Sequence, residues 1–411
     1  MNADNGVLIH HVLGLVILIL GLGMFSGRLA GALKLPDVAL FLFAGMIVGK
    51  GLHLINEPSS TFVNQFILLT GSALILFDGG KNIALGGLKK VWLTLTLLSV
   101  PGVLLTCGVT AVAARFLLDL PWLYAVLLGA VIASTDPATL IPVFRQVKVR
   151  TKVRETVESE SAFNDATGSI LTFTVLAMVT GGGGFSLTGA VKEFAVTAFG
   201  GIAVGLAVGY VLLYLVAHSR LGLLRDYTTI AMMVTAISAY LAGDLLHVSG
   251  FMATFVAGLV WGNAGSFGLN VESKEREMAH FSDNVTVIMR MLIFILLGSQ
   301  VNFTVILANM VPSLAVLLVF MLVARPLTVL ACALPDRKAK WERNEILFMF
   351  WVRETGVIPA ALSGMIAAQG VAHADVISSV TFLAVLLTIL VQASTTGWLA
   401  RRLGLALPDG R

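Results

Sequence analysis

Charge is scarce in this sequence. Asp, Glu, Lys and Arg make up 12% of its 411 residues, against roughly 25% in an ordinary soluble domain. A water-soluble chain with so few charges would carry apolar patches wide enough to aggregate, which excludes a soluble globular protein. Cysteine is nearly absent as well. Cys107 and Cys332 each sit in an apolar run without His or Cys at ligand spacing, so neither a disulfide framework nor a thiolate metal site is expected. No Gly-x-Ser-x-Gly, His-Glu-x-x-His or Ser–His pairing falls within the apolar runs, and the chain is not expected to be an enzyme. Met1 to Gly6 carries no basic stretch, and no small-residue cleavage site follows. The first apolar run is therefore expected to be a retained span. The largest loops, 265–277 and 335–344, are too short to fold alone. No soluble regulatory domain is expected.

Hydrophobic residues, 57% of the total, fill the space that charge leaves. They fall in segments near the roughly 20 residues that a helix needs to cross a bilayer. About 13 such segments can be marked, at 7–25, 38–55, 62–77, 91–116, 122–145, 157–179, 189–217, 226–246, 248–264, 278–299, 307–334, 345–368 and 375–399. The expected fold class is an all-α polytopic membrane protein. Basic residues collect in every second loop: Arg28 and Lys34; Lys81, Lys89 and Lys90; Arg145 to Arg154; Arg220 and Arg225; Lys274 and Arg276; Arg337 to Arg343; and Arg401, Arg402 and Arg411 in the tail. Those loops then face the cytoplasm, with the N-terminus outside and the C-terminus inside.

The Gly181–Gly184 run reads as a flexible connection near the middle of the chain. It divides a single membrane domain, 1–411, into halves at about 7–179 and 226–399, linked by the span at 189–217. Six spans on each side of one linking span make the second half run opposite to the first, an inverted repeat. On that pairing 122–145 corresponds to 345–368, and proline interrupts both, at Asp136-Pro137 and at Pro359 after Gly356. Broken helices at matching positions are the best pointer to a transport site.

Ionised groups inside such segments mark ion or proton pathways. Thr135-Asp136-Pro137 lies mid-span; Asp followed by Pro suits the start of a half-helix, and Thr135 adds a hydroxyl and a carbonyl oxygen suited to a small cation. Glu160, Ser161, Asn164 and Asp165 fall within one and a half turns. Ser161 and Asp165 stack along one face, as do Glu160 and Asn164. A plainer reading makes Glu158 and Glu160 first-turn acids of a helix starting near Arg154. Asp165 resists it, lying roughly 16 Å along the helix from Arg154. A partly desolvated carboxylate at that depth can exchange a proton for a cation. Arg325, before Pro326, and Arg353, beside Glu354, are the counter-charges and require buried carboxylates or the inner surface. Asp78, beside Gly79-Gly80, reads as a boundary residue. Asp244 and His247 read as an outer end, and His10 and His11 as interfacial.

At these residues the chain resembles the monovalent cation:proton antiporters, in the NhaP-type branch related to animal sodium/proton exchangers. The resemblance spans essentially the whole chain. It is carried by Ser134-Thr-Asp-Pro137, Glu160-Ser161-x-x-Asn164-Asp165, the run from Ser249 to Gly258 with Gly262-Asn263, and Ala324-Arg325. It implies 13 helices, a six-helix core (transport) domain, a dimerisation domain and alternating access of an elevator kind. It also implies roles: Asp165 takes cation or proton in turn, with Thr135 and Ser161 as further oxygen ligands of Na+. Asn164 marks the electroneutral branch, Glu160 partners Arg325, and Asp136 neutralises helix ends at the break in 345–368. In relatives an Arg often precedes the Gly of that break; here Thr355 stands there and Arg353 comes two residues earlier. Arg353 then pairs with either Asp136 or Glu354.

The expectation is a secondary transporter exchanging Na+ (or Li+) for H+, one for one, with K+ as the alternative cation. No cofactor and no nucleic-acid partner are expected. The resemblance further implies a homodimer in the plasma (cell inner) membrane. A cation channel would show rings of carboxylates or filter carbonyls, whereas here acids and arginines share broken helices.

Overall fold

A backbone inside hydrocarbon has to satisfy its own hydrogen bonds, and the helix does this within one segment. The computed structural model describes residues 3–33, 35–135, 144, 147, 149–181, 187–218 and 223–406, and these contain helices and no strand. Asp136 and Pro137 lie outside the described residues, as does most of the glycine run at 181–184.

In chain order the helices are α1 (Ala3–Leu33), α2 (Asp37–Met46, extended by a π turn Ile47–Gly51), α3 (Phe62–Lys81), α4 (Trp92–Ser99) and α5 (Pro101–Leu117). There follow α6 (Trp122–Ile132), α7 (Thr151–Thr180), α8 (Leu187–Ala217), α9 (Thr228–Leu245), α10 (Gly250–Gly262) and α11 (Glu275–Ser299). Then come α12 (Phe303–Ala308), α13 (Met310–Val319), α14 (Arg325–Ala333), α15 (Arg343–Trp351), α16 (Val357–Ala368), α17 (Ala374–Leu387) and α18 (Ser394–Arg402). Among the described residues, nine stretches are long and apolar enough to cross a bilayer, and α6, α10 and α16 are shorter apolar helices. A helix falls on every apolar segment marked in the sequence.

Local chemistry sets the ends. The Thr61 hydroxyl accepts the Asn64 amide at the start of α3, and Ser249 accepts the Met252 amide at the start of α10. Pro101 opens α5, where a missing N–H costs nothing, and the chain bends there between α4 and α5. Glu342 and Glu345 form a reciprocal capping box on α15. α7 starts at Thr151, six residues ahead of the expected 157, because its entrance is tied down: Arg150 N–H donates to Leu405 O at 3.0 Å, and Val149 bridges Ala406. Glu158 and Glu160 are therefore second- and third-turn residues, and the first-turn reading of them is corrected.

The helices pack in two groups. In the first, α1–α3 and α8–α11, glycines bring backbones into contact: Gly205 of α8 against Ala253, Gly258 and Gly262 of α10 against the Phe77 and Lys81 carbonyls, and Gly45 and Gly298 between α2 and α11. The second, α4–α7 and α13–α18, contains the interrupted helices. α6 stops at Ile132, and a buried non-helical stretch, Val352–Gly356, separates α15 from α16.

Candidate functional site

The site is built where these two interruptions meet α7. Each interruption leaves a helix C-terminus inside the protein, and the unpaired carbonyls of a C-terminus carry partial negative charge. An arginine answers each one. Arg353 donates to the Ala133 carbonyl at the end of α6 and to Thr106 Oγ1 at 3.4 Å, with its guanidinium 4.8 Å from the Phe320 ring centre. Arg325 donates through Nε to Met349 O at 2.8 Å and through Nη2 to Val352 O at 3.2 Å, closing the end of α15. The remaining face of Arg325 makes a bidentate pair with Glu160, Nη1 to Oε1 and Nη2 to Oε2, the latter at 3.0 Å. Glu160 is 2% exposed and Arg325 1%. A buried guanidinium cannot shed its proton, so it needs both a carboxylate and full hydrogen bonding.

Within the break of α15 and α16, the Thr355 amide donates to Thr388 Oγ1 at 3.1 Å, and the Thr388 hydroxyl donates to Ala384 O at 2.7 Å. The Thr355 hydroxyl itself is buried and has no hydrogen-bond partner among the described residues. Arg353, two residues earlier, is the group that reaches across to α6. Glu354 is fully buried in the same stretch. The Asp136 half of the expected contact with Arg353 lies outside the described residues.

On α7, Ser161, Asn164 and Asp165 sit at i, i+3 and i+4 and so share a face. Thr135, just past the end of α6, meets that face. Its amide donates to Asn164 Oδ1 at 3.0 Å, its hydroxyl to Ser161 Oγ at 2.9 Å, and Asn164 Nδ2 donates back to Thr135 Oγ1 at 2.8 Å. Asn164 therefore holds the loose backbone of the α6 break in place, a job for one acceptor and one donor on the same side chain. Gly168, one turn beyond Asp165, lets Ser134 approach: a Cβ there would stand 3.0 Å from the Ser134 Cβ. Asp165 is 4% exposed. The Ser161 hydroxyl and the Asp165 carboxylate share one face of α7, and Thr135 adds a hydroxyl bonded to Ser161; these are hard oxygen donors of the kind small cations take.

Asp165 lines a cavity of about 240 Å³ together with Asp78, Ser159 and Thr286. The cavity continues past Glu158 and Glu155 to Arg154, beside the basic residues at the start of α7. Toward the other end of α7, a separate cavity of about 460 Å³ runs along Ile170, Thr174 and Ala177 and includes Glu193, Asp244 and His247. Two aromatic pairs fasten α7 to α10 along this length, Phe163 with Phe255 (4.9 Å between centres) and Phe173 with Phe251 (5.9 Å).

Several partners were not legible in sequence. Asp37 pairs with Arg290 at 2.9 Å across 253 residues, and Asp78 collects Ser282, Thr286 and Lys81. Asp336 accepts from the Thr94 amide and hydroxyl at 3.0 and 2.8 Å. The only local signal was the Asp78–Lys81 spacing, one helical turn.

An integral membrane protein with a buried carboxylate among hydroxyls, served by interrupted helices, belongs to the ion-coupled transporters. Residues 14–402 match the family model described as sodium/hydrogen exchanger, transmembrane, and the chain belongs to that family of cation/proton antiporters, in its NhaP-type branch. It is 29% identical to Na(+)/H(+) antiporter 1 of Methanocaldococcus jannaschii, over 95% of both chains. It is 27% identical to the K(+)/H(+) antiporter NhaP of Alkalimonas amylolytica, over 96% of this chain and 68% of that one. Its fold superimposes on the solved structure of the sodium proton antiporter MjNhaP1 from Methanocaldococcus jannaschii at pH 8 with a TM-score of 0.86, at 27% identity, over 96% of this chain and 99% of the other.

Proposed function

We propose that this protein exchanges one monovalent cation, Na+ (or Li+), for one proton, by competition of the two at Asp165. The observation that carries the reading is the Thr135–Ser161 hydroxyl pair meeting the face of α7 that bears a 4%-exposed carboxylate, Asp165, which also lines a cavity. Cation bound to Asp165, Thr135 and Ser161, or proton bound to Asp165, leaves the site without the carboxylate's negative charge, and only then does it cross. The empty anionic site stays, because an uncompensated charge at bilayer depth costs several kcal/mol. Coupling follows without contact between the two ions, and one carboxylate makes the exchange electroneutral. Exchange slows at low pH, where protons hold Asp165, and at high pH, where protons are scarce.

Asp136, which in sequence follows Thr135 directly, would serve the same site. Thirteen crossing helices in two inverted halves would provide alternate exposure, with the broken-helix group as the moving core and the glycine-packed group as a dimerising frame. With basic loops inside, the chain would lie in the cell's inner membrane with its N-terminus outside. The same machine run on K+ is the second reading, favoured by the similarity to a K(+)/H(+) antiporter.

The test is proton movement in proteoliposomes with a preset pH gradient, on addition of Na+, Li+ or K+, with and without Asp165→Asn. A saturable Na+ signal abolished by the substitution is expected. A signal with K+ alone transfers the reading to K+, and a cation response that survives Asp165→Asn overturns the role of Asp165.

A further inference from the structure

Asp78 sits across the 240 Å³ cavity from Asp165, on a different group of helices. It is only 9% exposed. Ser282 Oγ donates to its Oδ1, Thr286 Oγ1 donates to its Oδ2 at 3.3 Å, and the Lys81 ammonium lies 3.0 Å from Oδ1. One carboxylate with one serine and one threonine hydroxyl repeats the donor set of Asp165, Ser161 and Thr135. The two sets are close: Gly79, next to Asp78, approaches Ala162, one turn before Asp165, where a Cβ at 79 would stand 3.6 Å from the Ala162 Cβ.

We propose that Asp78, Ser282 and Thr286 form a second oxygen-donor site for a monovalent cation at the wall of this cavity, which Asp78 and Thr286 line, held by the ammonium of Lys81 until a cation displaces it. The proposal rests on reading the cavity as the path of the transported cation. An ammonium is a compact point charge with three donors, so it fills a site of this kind as a tethered substitute for the ion. The backbone of Lys81 cannot retreat, because its carbonyl is pressed against Gly262 of α10. Its side chain can. A neighbouring cavity of about 420 Å³ is lined by both Lys81 and Glu275, and offers the ammonium a second carboxylate. Arg154, Glu155 and Glu158 line the outer part of the first cavity and set the field a cation crosses before reaching Asp78. In this arrangement Lys81 sets how much cation is needed on the basic side, and Asp78 supplies the stop before Asp165.

Two measurements test it. In proteoliposomes oriented by sidedness, Lys81→Met is expected to lower the half-saturating cation concentration on the basic side by about tenfold, the scale of one close, partly screened charge pair. Asp78→Asn is expected to raise it by a similar factor. Unchanged half-saturation in Lys81→Met, or equal shifts on both sides of the membrane, overturns the proposal. Separately, binding of radioactive Na+ to purified protein is measured in an Asp165→Asn background. Lys81→Met is expected to create saturable binding there, and adding Asp78→Asn is expected to remove it. No binding in the Asp165→Asn/Lys81→Met protein overturns the second site, whereas transport surviving Asp165→Asn alone overturns the underlying reading of Asp165.

Discussion

The two helix groups solve the same problem, holding apolar helices together where water gives no hydrophobic drive between them, by different means. The glycine-packed group brings backbones together. Gly205, Gly258, Gly262, Gly45 and Gly298 each face a main-chain carbonyl of the next helix, so neighbouring helices interlock with no side chain between. The broken-helix group, where Gly129 likewise meets the Cys107 carbonyl, relies more on charge and hydroxyls at its breaks: Arg325 with Glu160, Arg353 with the Ala133 carbonyl, Thr388 with the Thr355 amide. Between the groups, the glycine approaches end on side chains, Gly79 on Ala162 and Gly364 on Leu68. Backbone contact is thus concentrated inside the glycine-packed group, and Asp78 and Asp165 face one cavity where the two groups meet.

Breaking the charged centre should have the largest effect. Glu160→Gln leaves the Arg325 guanidinium buried without its carboxylate and is expected to cost about 3–5 kcal/mol. Unfolding in detergent reads this directly, and the double variant Glu160→Gln/Arg325→Met should recover only part of the loss, because Met349 O and Val352 O then lose their donor. A Glu160→Gln protein as stable as the parent would remove the charged centre from the comparison. Next comes Gly258→Val, which pushes a side chain into the Phe77 carbonyl and should cost about 1–3 kcal/mol through overpacking. Gly364→Ala, which meets only the flexible end of Leu68, should stay under about 1 kcal/mol, and equal losses at the two glycines would refute the distinction between contacts inside a group and contacts between groups. Thr388→Val orphans the buried Thr355 amide and is expected to cost about 1–2 kcal/mol, with exchange slowed because the break is no longer held.

The smallest effect concerns the loop on the basic face. Burial pushes the Asp336 carboxyl up, but hydrogen bonds from the Thr94 hydroxyl and amide and from the Ala339 amide outweigh this and hold it below its ordinary value. A group with a depressed folded pKa adds stability above its unfolded pKa, about 3.9, and loses it as pH falls through the lower folded value. The parent should therefore lose thermal stability below about pH 4, and Asp336→Asn should show a shallower decline. Parallel pH profiles of the two proteins would show that Asp336 has no such role.

Much of the site could be read from the chain because its parts are local. Ser161, Asn164 and Asp165 share a face by helical spacing alone, and the depth of Asp165 follows from counting along α7. The pairing of Glu160 with Arg325 came from resemblance, since no spacing connects two residues 165 positions apart. The reach of Arg353 to Ala133 and Thr106 was not legible at all, nor was Asp37 with Arg290, because each depends on how separate helices pack.

The sequence by itself determined that this chain lives in a bilayer and where helices form, since hydropathy and backbone satisfaction are properties of single segments. It also determined which residues could handle an ion, because ionised groups survive in apolar spans only for a reason. Tertiary structure alone decided which helix ends meet, which arginine closes each of them, and that Asp78 and Asp165 share one cavity. Those outcomes depend on long-range packing between helices far apart in the chain, and no local pattern encodes the distance between them.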